Sequence, residues 1–290
     1  MKIGFIGTGV MGQAMARNII LNANYELYVY NRTKSKANEL VHLGAIWCDD
    51  VKTVANSCDL IFTIIGVPTD VEEVYLGENG LVNHAKSHTI LVDMATSTPD
   101  LAKRIYKAGK EKVIYCLDAP VTGGDVGAKN GTLTMMVGGD KEIYDKVLPI
   151  LQLMGKTTVY MGEAGSGQHT KMANQIAISG AVIGMAEALA YSKGAGLDLK
   201  TMLEVITSGS AASWQLSNMA PRVVNEDFSP GFFIKHFIKD MRIALNESKL
   251  MNVALPGLEL VLSLYEQCQK QGFENDGTQA LYKLYDKDLK

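Results

Sequence analysis

Short, densely apolar runs alternate with longer mixed stretches through the first half of the chain, at 3–6, 27–30, 60–65, 89–92 and in the residues leading to Asp118. Runs of that length, rich in Ile, Val, Leu and Tyr, read as strands, and the stretches between them read as helical crossovers. Parallel strands need such crossovers, and crossovers of one hand place helices on both faces, so the pattern predicts a doubly wound parallel sheet. A ligand of such a sheet lies beyond the strands' carboxyl ends. After Gly162-Glu163-Ala164-Gly165-Ser166-Gly167 the β pattern stops, and helical periodicity takes over at 168–193, 199–207, 239–251 and 258–271. The first of these helices would run roughly 39 Å at 1.5 Å per residue. The expectation is an α/β fold with one domain over 1–164, an all-α domain over 165–290 serving substrate binding and oligomerisation, and a long interdomain helix joining them.

Glycines at the end of the first strand say what the sheet holds. Gly7-Thr8-Gly9-Val10-Met11-Gly12 follows an apolar strand and opens a helix, the setting a dinucleotide fingerprint requires. Gly7 permits the tight turn, Gly9 clears a path for the pyrophosphate, and Gly12 lets helix and strand pack closely. The N–H groups of the first helical turn then face the phosphates. This makes the N-terminal half a Rossmann-type domain. An NAD site commonly ends the second strand in Asp or Glu, which takes the ribose hydroxyls. Here that end reads Asn31-Arg32-Thr33, with a guanidinium suited to a 2′-phosphate and two polar neighbours, so NADP is expected over NAD. Val67 and Pro68, after the 60–65 strand, are placed beside the adenosine side of the cofactor.

Composition narrows the class. The 290 residues are 47% hydrophobic and 20% charged, as in ordinary globular proteins, and give about two domains. A net charge of 28 − 31 = −3 offers no field for nucleic acid or an anionic membrane. Cys48, Cys58, Cys116 and Cys268 are scattered with no Cys-x-x-Cys pair, which argues against a disulfide framework or structural zinc and fits a cytoplasmic protein. The most apolar stretch, after Gln175, is interrupted by Ser179 and Glu187, so no membrane span is expected.

Two further segments carry chemistry. Asp118-Ala119-Pro120-Val121-Thr122-Gly123-Gly124 ends a strand in a hydroxyl and two glycines, where backbone N–H groups can converge on a carboxylate. Lys171 and Asn174, spaced i, i+3, share one face of the long helix, and apolar neighbours would lower the lysine's pKa toward that of a proton donor and acceptor.

The glycine loop, the 118–124 segment, the run Gly167 to Lys171-Met172-Ala173-Asn174-Gln175 and Lys239-Asp240, in that order, resemble the β-hydroxyacid dehydrogenases. That family includes 3-hydroxyisobutyrate dehydrogenase and the tartronate, glyoxylate and succinic semialdehyde reductases. The likeness covers nearly the whole chain. It implies Lys171 as catalytic acid/base with Asn174 beside it, and Thr122, Gly123 and Gly124 as holders of the substrate carboxylate. It also implies Thr96 near nicotinamide and substrate, and Phe232 and Lys239 closing over the cofactor. Asp93-Met94-Ala95-Thr96 departs from the more usual Asp-Met-Ser-Thr by one hydroxyl, and Gln175 stands where a second Asn is common. The expected activity is an NADP-preferring interconversion of a small β-hydroxyacid and its semialdehyde, in a homodimer or homotetramer. An imine reductase on the same fold and a non-catalytic NADP-binding sensor are the alternatives; Lys171 argues against the first and the retained motifs against the second.

Other residues are set aside. His84 and His88, four apart, could share a helix face as metal ligands do, but they lack a third ligand nearby, and no metal is expected. His169 points about 200° from Lys171 on a helical wheel. Ser213-Trp214 could border a substrate pocket, although Trp on a helix face more often packs, and Gly180 and Gly184 suggest close helix packing.

Overall fold

The computed structural model describes residues 1–286. The chain divides into two compact units, Met1–Lys171 and Met172–Lys290. The division falls within the long helix, several residues beyond the glycine cluster.

In the first unit the elements run β1 (Lys2–Ile6), α1 (Val10–Asn22), β2 (Glu26–Tyr30), α2 (Asn38–His42), β3 (Ile46–Trp47), α3 (Val51–Ser57) and β4 (Leu60–Thr63). They continue with α4 (Pro68–Leu76), α5 (Leu81–His84), β5 (Ile90–Asp93), α6 (Pro99–Glu111), β6 (Tyr115–Asp118) and β7 (Val121–Thr122). Last come α7 (Gly124–Asn130), β8 (Leu133–Gly138), α8 (Lys141–Leu151) and β9 (Gly155–Gly162). The strands form one sheet in the order β3-β2-β1-β4-β5-β6-β8-β7, with β9 on β8. β3 through β6 are parallel, with Phe5 opposite Val29 on one side and Phe62 on the other. Side chains of alternate residues leave a strand on opposite faces. Ile3, Phe5, Leu27, Val29, Leu60, Phe62 and Val92 accordingly enter one apolar core, while Ile6, Ile61, Leu91 and Cys116 enter another. A sheet buried on both faces is what the unbroken apolar runs predict.

The sheet is not wholly parallel. β8 runs antiparallel to β6, through the pair Asp118↔Gly138, and to β7. Between Thr122 and Leu133 lie 133 − 122 − 1 = 10 residues. A parallel return needs about a dozen or more, so the short α7 turns the chain back on itself.

The second unit holds most of α9 (Ser166–Gly194), then α10 (Leu199–Thr207), a π-helical stretch Gln215–Met219, α11 (Ala220–Val224), α12 (Ile234–Leu250), α13 (Pro256–Lys270) and a 3-10 segment Thr278–Leu284. Its core gathers Val182, Met185, Leu189, Phe237, Met241 and Tyr265, with the rings of Phe237 and Tyr265 edge-on at 5.2 Å. α12 begins at Ile234, ahead of the expected 239, because Ile234, Phe237 and Ile238 are buried in this core. α11, not expected from the sequence, carries Pro221 in its first turn, where the missing N–H costs nothing.

α9 is long and apolar enough to cross a membrane, by length and composition only. Its Ile, Val, Leu, Met and Ala residues outweigh Ser179 and Glu187. Its Val182, Met185, Ala186 and Leu189 are buried in the core of the second unit. Gly180 and Gly184, expected to mark close packing, face open space among the described residues: beyond the adjoining residues and backbone of their own helix, nothing lies within 4 Å of a built Cβ.

Candidate active site

The segments singled out in the N-terminal half stand at the carboxyl ends of adjacent parallel strands. Gly7 follows β1, Asn31 follows β2, Val67 and Pro68 follow β4, Thr96 follows β5, and Val121-Thr122 follows β6. β1 lies between β2 and β4, the point at which strand order reverses and where such sheets bind ligands.

The glycines have distinct physical jobs. Gly7 has φ +96°, and a Cβ there would strike the Ile64 carbonyl; a Cβ on Gly12 would strike the carbonyl of Gly7. Both hold the loop tightly to the sheet. Gly9, which caps α1 without any side-chain cap bond, has nothing within 4 Å of a built Cβ. The helix N-terminus therefore opens onto clear space, the cradle a pyrophosphate needs, and the residues present fit a dinucleotide. The loop is tied to the end of β2: the Gly7 N–H donates to the Tyr30 carbonyl at 3.0 Å and the Thr8 N–H to Asn31 Oδ1 at 3.0 Å. Asn31 Nδ2 in turn donates to the Thr33 carbonyl at 2.9 Å, so this amide braces the loop. Arg32 is 86% exposed and pairs with Asp70, in the first turn of α4, at 3.7 Å. Val67 and Pro68 begin α4.

Lys171 is buried, 7% exposed, and its ammonium donates to the Val121 carbonyl at 2.8 Å. That carbonyl adjoins Thr122-Gly123-Gly124, where Gly123 and Gly124 have φ of +126° and +64°. Only glycine adopts such dihedrals without strain, and the turn leaves both glycines exposed at the start of α7. Asp118 connects this region to the head of α9. Its carboxylate, 4% exposed, accepts the Gly165 N–H at 2.8 Å and the Gln168 N–H at 2.9 Å. Burial raises its pKa, and those backbone donors act in the opposite direction. Gln168 spans to the loop after β5: its Nε2 donates to the Ala95 carbonyl at 2.8 Å, and its Oε1 accepts the Ser97 N–H at 3.0 Å. Thr96, half-buried, sits between those two residues. Beneath it Asp93 accepts the Ala95 N–H at 3.0 Å and the Thr63 hydroxyl at 3.1 Å.

In the second unit a polar chain crosses from α9 to α12. Asn174 Nδ2 donates to Gln175 Oε1 at 2.8 Å, Gln175 Nε2 donates to Asp240 Oδ2 at 2.7 Å, and Lys239 lies 3.0 Å from Asp240 Oδ1. That last contact is an ion pair without hydrogen-bond alignment, since Oδ1 has no hydrogen-bond partner. Asn174 and Lys239 are thereby joined. Phe232 is 36% exposed, with its ring 6.4 Å from His236 and 6.0 Å from Phe237. Burial, followed by the charges of Lys239 and Lys235, lowers the His236 pKa.

Several readings fall elsewhere. Trp214 is 62% exposed rather than packed. His84 ends α5 while His88 lies in a turn with φ 70°, so the two share no helix face. Among the described residues no group of three His, Cys, Asp or Glu side chains gathers to hold a metal. In the sequence Asp118 and Asp240 stand only as members of motifs and Gln168 has no role, although an acid ending a core strand and an amide one turn before Lys171 were visible signals.

Residues 2–162 match the NAD-binding domain of 6-phosphogluconate dehydrogenase, and residues 165–285 match the NAD-binding region of NADP-dependent 3-hydroxyisobutyrate dehydrogenase. An uncharacterized oxidoreductase of Bacillus subtilis (strain 168), YkwC, is 55% identical over 98% of each chain. The 2-hydroxy-3-oxopropionate reductase of Escherichia coli (strain K12) is 36% identical over 94% of this chain and 92% of its own. Among solved structures, Psf3 in complex with NADP+ and 2-OPP superposes with a TM-score of 0.91 at 26% identity, covering 98% of this chain and all of that one.

Proposed function

Because this chain belongs to the 3-hydroxyisobutyrate dehydrogenase family of NAD(P)-dependent oxidoreductases acting on CH–OH groups, we propose that it interconverts a small β-hydroxyacid and its semialdehyde with a preference for NADP. The observation that carries the reading is the buried ammonium of Lys171, held 2.8 Å from the Val121 carbonyl beside the Thr122-Gly123-Gly124 turn. When bound, the reduced nicotinamide supplies the hydride. Lys171 Nζ donates a proton to the substrate oxygen in reduction and accepts it in oxidation. The backbone N–H groups and hydroxyl of Thr122-Gly123-Gly124 hold the substrate carboxylate, Asn174 orients the substrate, and Thr96 lies at the nicotinamide end. Gly7 through Gly12 receive the pyrophosphate, Val67 and Pro68 flank the adenosine, and the family resemblance gives Phe232 and Lys239 a role toward the cofactor.

The NADP preference is supported by Arg32, an exposed guanidinium at the end of β2 where no carboxylate stands. The NADP+ in complex with Psf3 and the name of the Escherichia coli reductase lend the cofactor and substrate class further support. A homodimer or homotetramer accompanies this reading, supported by the open face of α9 at Gly180 and Gly184; light scattering tests it.

The decisive assay follows NADPH oxidation with tartronate, succinic and methylmalonate semialdehydes and glyoxylate. Lys171→Ala is expected to keep NADPH affinity and lose turnover by about 100-fold or more, the scale of a lost general acid. Near-native turnover in that variant would overturn the assignment, and tight NADPH binding with no turnover in the wild type would favour a sensor.

A further inference from the structure

β5 ends at Asp93, and the backbone beyond it must find partners away from the ladder. Gln168 supplies two of them. It is fully buried, and one amide group meets two backbone groups that flank a single residue: Nε2 donates to the carbonyl of Ala95, and Oε1 accepts the N–H of Ser97. The residue so bracketed is Thr96. Ala95 and Ser97 are buried at 2% and 1%, whereas Thr96 is half-buried. The clamp stands on a helix that is itself anchored, because the Gln168 N–H and the Gly165 N–H both end on Asp118. The close approach needs glycine: a Cβ on Gly138 would meet Asp118 Oδ1 at 2.6 Å, and one on Gly167 would meet the Asp118 carbonyl at 2.7 Å. Lys171 lies at i+3 from Gln168, the next position on the same helix face.

We infer that Gln168 is a positioning residue for the reaction, its amide fixing the 95–97 turn, and with it Thr96, to the helical turn that carries Lys171. The inference rests on the function proposed above. A two-point amide contact fixes both displacement and rotation of the turn, which one hydrogen bond would not. Misplacing a reacting group by about 1 Å costs on the order of 100-fold in rate, so loss of the clamp falls on the chemical step rather than on cofactor binding.

The test compares wild type with Gln168→Met, which keeps length and volume but neither hydrogen bond, and Gln168→Glu, which keeps an acceptor for Ser97 and loses the donor to Ala95 when ionised. Amide hydrogen exchange at Ser97 is read first and needs no substrate. It should quicken on the order of 100-fold in Gln168→Met and stay within about threefold of wild type in Gln168→Glu. With an active semialdehyde, Gln168→Met should lower kcat about 100-fold and leave KM and Kd for NADPH unchanged. Its deuterium isotope effect with 4-deuterated NADPH should exceed that of wild type, because hydride transfer becomes limiting. A merely structural role would cut the active fraction and leave the isotope effect where it was, and that result overturns the inference, as does unchanged Ser97 exchange. If Gln168→Met fails to fold, Gln168→Glu carries the kinetic comparison, and wild-type kcat and isotope effect there overturn it equally. Wild type inert on every semialdehyde would instead sink the proposed reaction, with the exchange result still deciding the clamp.

Discussion

Asp70 is expected to work against the NADP preference proposed for Arg32. Its carboxylate lies 3.7 Å from the Arg32 guanidinium, and both groups are in contact with solvent. A 2′-phosphate arriving at Arg32 must displace or share that partner. In the limit of bulk water, two unit charges at this separation interact by ~1 kcal/mol, at the upper end of what exposed pairs contribute. Asp70→Asn removes the competing charge while keeping the size of the side chain, and should tighten NADPH up to about fivefold at low salt, since 1.4 kcal/mol is a factor of ten. NADH carries no 2′-phosphate and its affinity should not move. Arg32→Ala should weaken NADPH by roughly 10- to 100-fold, the loss of a charged hydrogen bond of ~1.5–3 kcal/mol, and should abolish the gain from Asp70→Asn when the two are combined. Fluorescence titration of both dinucleotides with the four proteins measures all of this. Raising the salt to about 0.5 M should shrink the Asp70→Asn effect. An equal gain for NADH and NADPH, or a gain that survives Arg32→Ala, would refute the reasoning, because the effect would then not pass through the guanidinium.

Other outcomes follow from the same geometry. Gly9→Val should fold with near-native thermal stability and bind neither dinucleotide, whereas Gly12→Ala, whose Cβ runs into the Gly7 carbonyl, should lose stability as well; calorimetry with a binding titration separates the two. All four cysteines are buried, and burial pushes Cys48 up to about 11 and Cys58, Cys116 and Cys268 to about 12. The native protein should therefore resist a thiol-specific disulfide reagent at pH 8 and react fully once denatured; rapid labelling of the folded protein would contradict this. Asp118, with its pKa raised by burial, contributes stability that is fully present below the ordinary carboxylate range and is lost as pH rises through its folded value. The stability of wild type minus that of Asp118→Asn, from urea unfolding, should thus fall with rising pH across that window, and a difference that grows would show the backbone donors outweighing burial.

Much of the candidate site was legible because its residues stand in short local segments. Gly7, Gly9 and Gly12 are constrained by contacts within one strand–turn–helix, and Lys171 and Asn174 by the pitch of one helix. The parallel strands announced themselves through apolar runs that fill both cores. What stayed hidden depends on residues far apart in the chain. Gln168 reaches Ala95 and Ser97 across more than seventy positions, and Gln175 reaches Asp240 across 65. No periodicity records such pairings. The antiparallel turn of β8 was missed for a related reason, since it depends on a connection too short for a crossover rather than on the character of the strand itself.

The break between the compact units after Lys171 bears on how members of this family could be recombined. A splice at the glycine cluster looks natural, yet it would pair one parent's Asp118 and Ala95 with another parent's Gly165 and Gln168, severing matched bonds. A junction placed after Lys171 would cut within α9 but keep Asp118, Ala95, Gly165, Gln168 and Lys171, the proposed proton donor, from one parent. Chimeras built on the two junctions from the same parents should then differ in catalytic competence more than in yield.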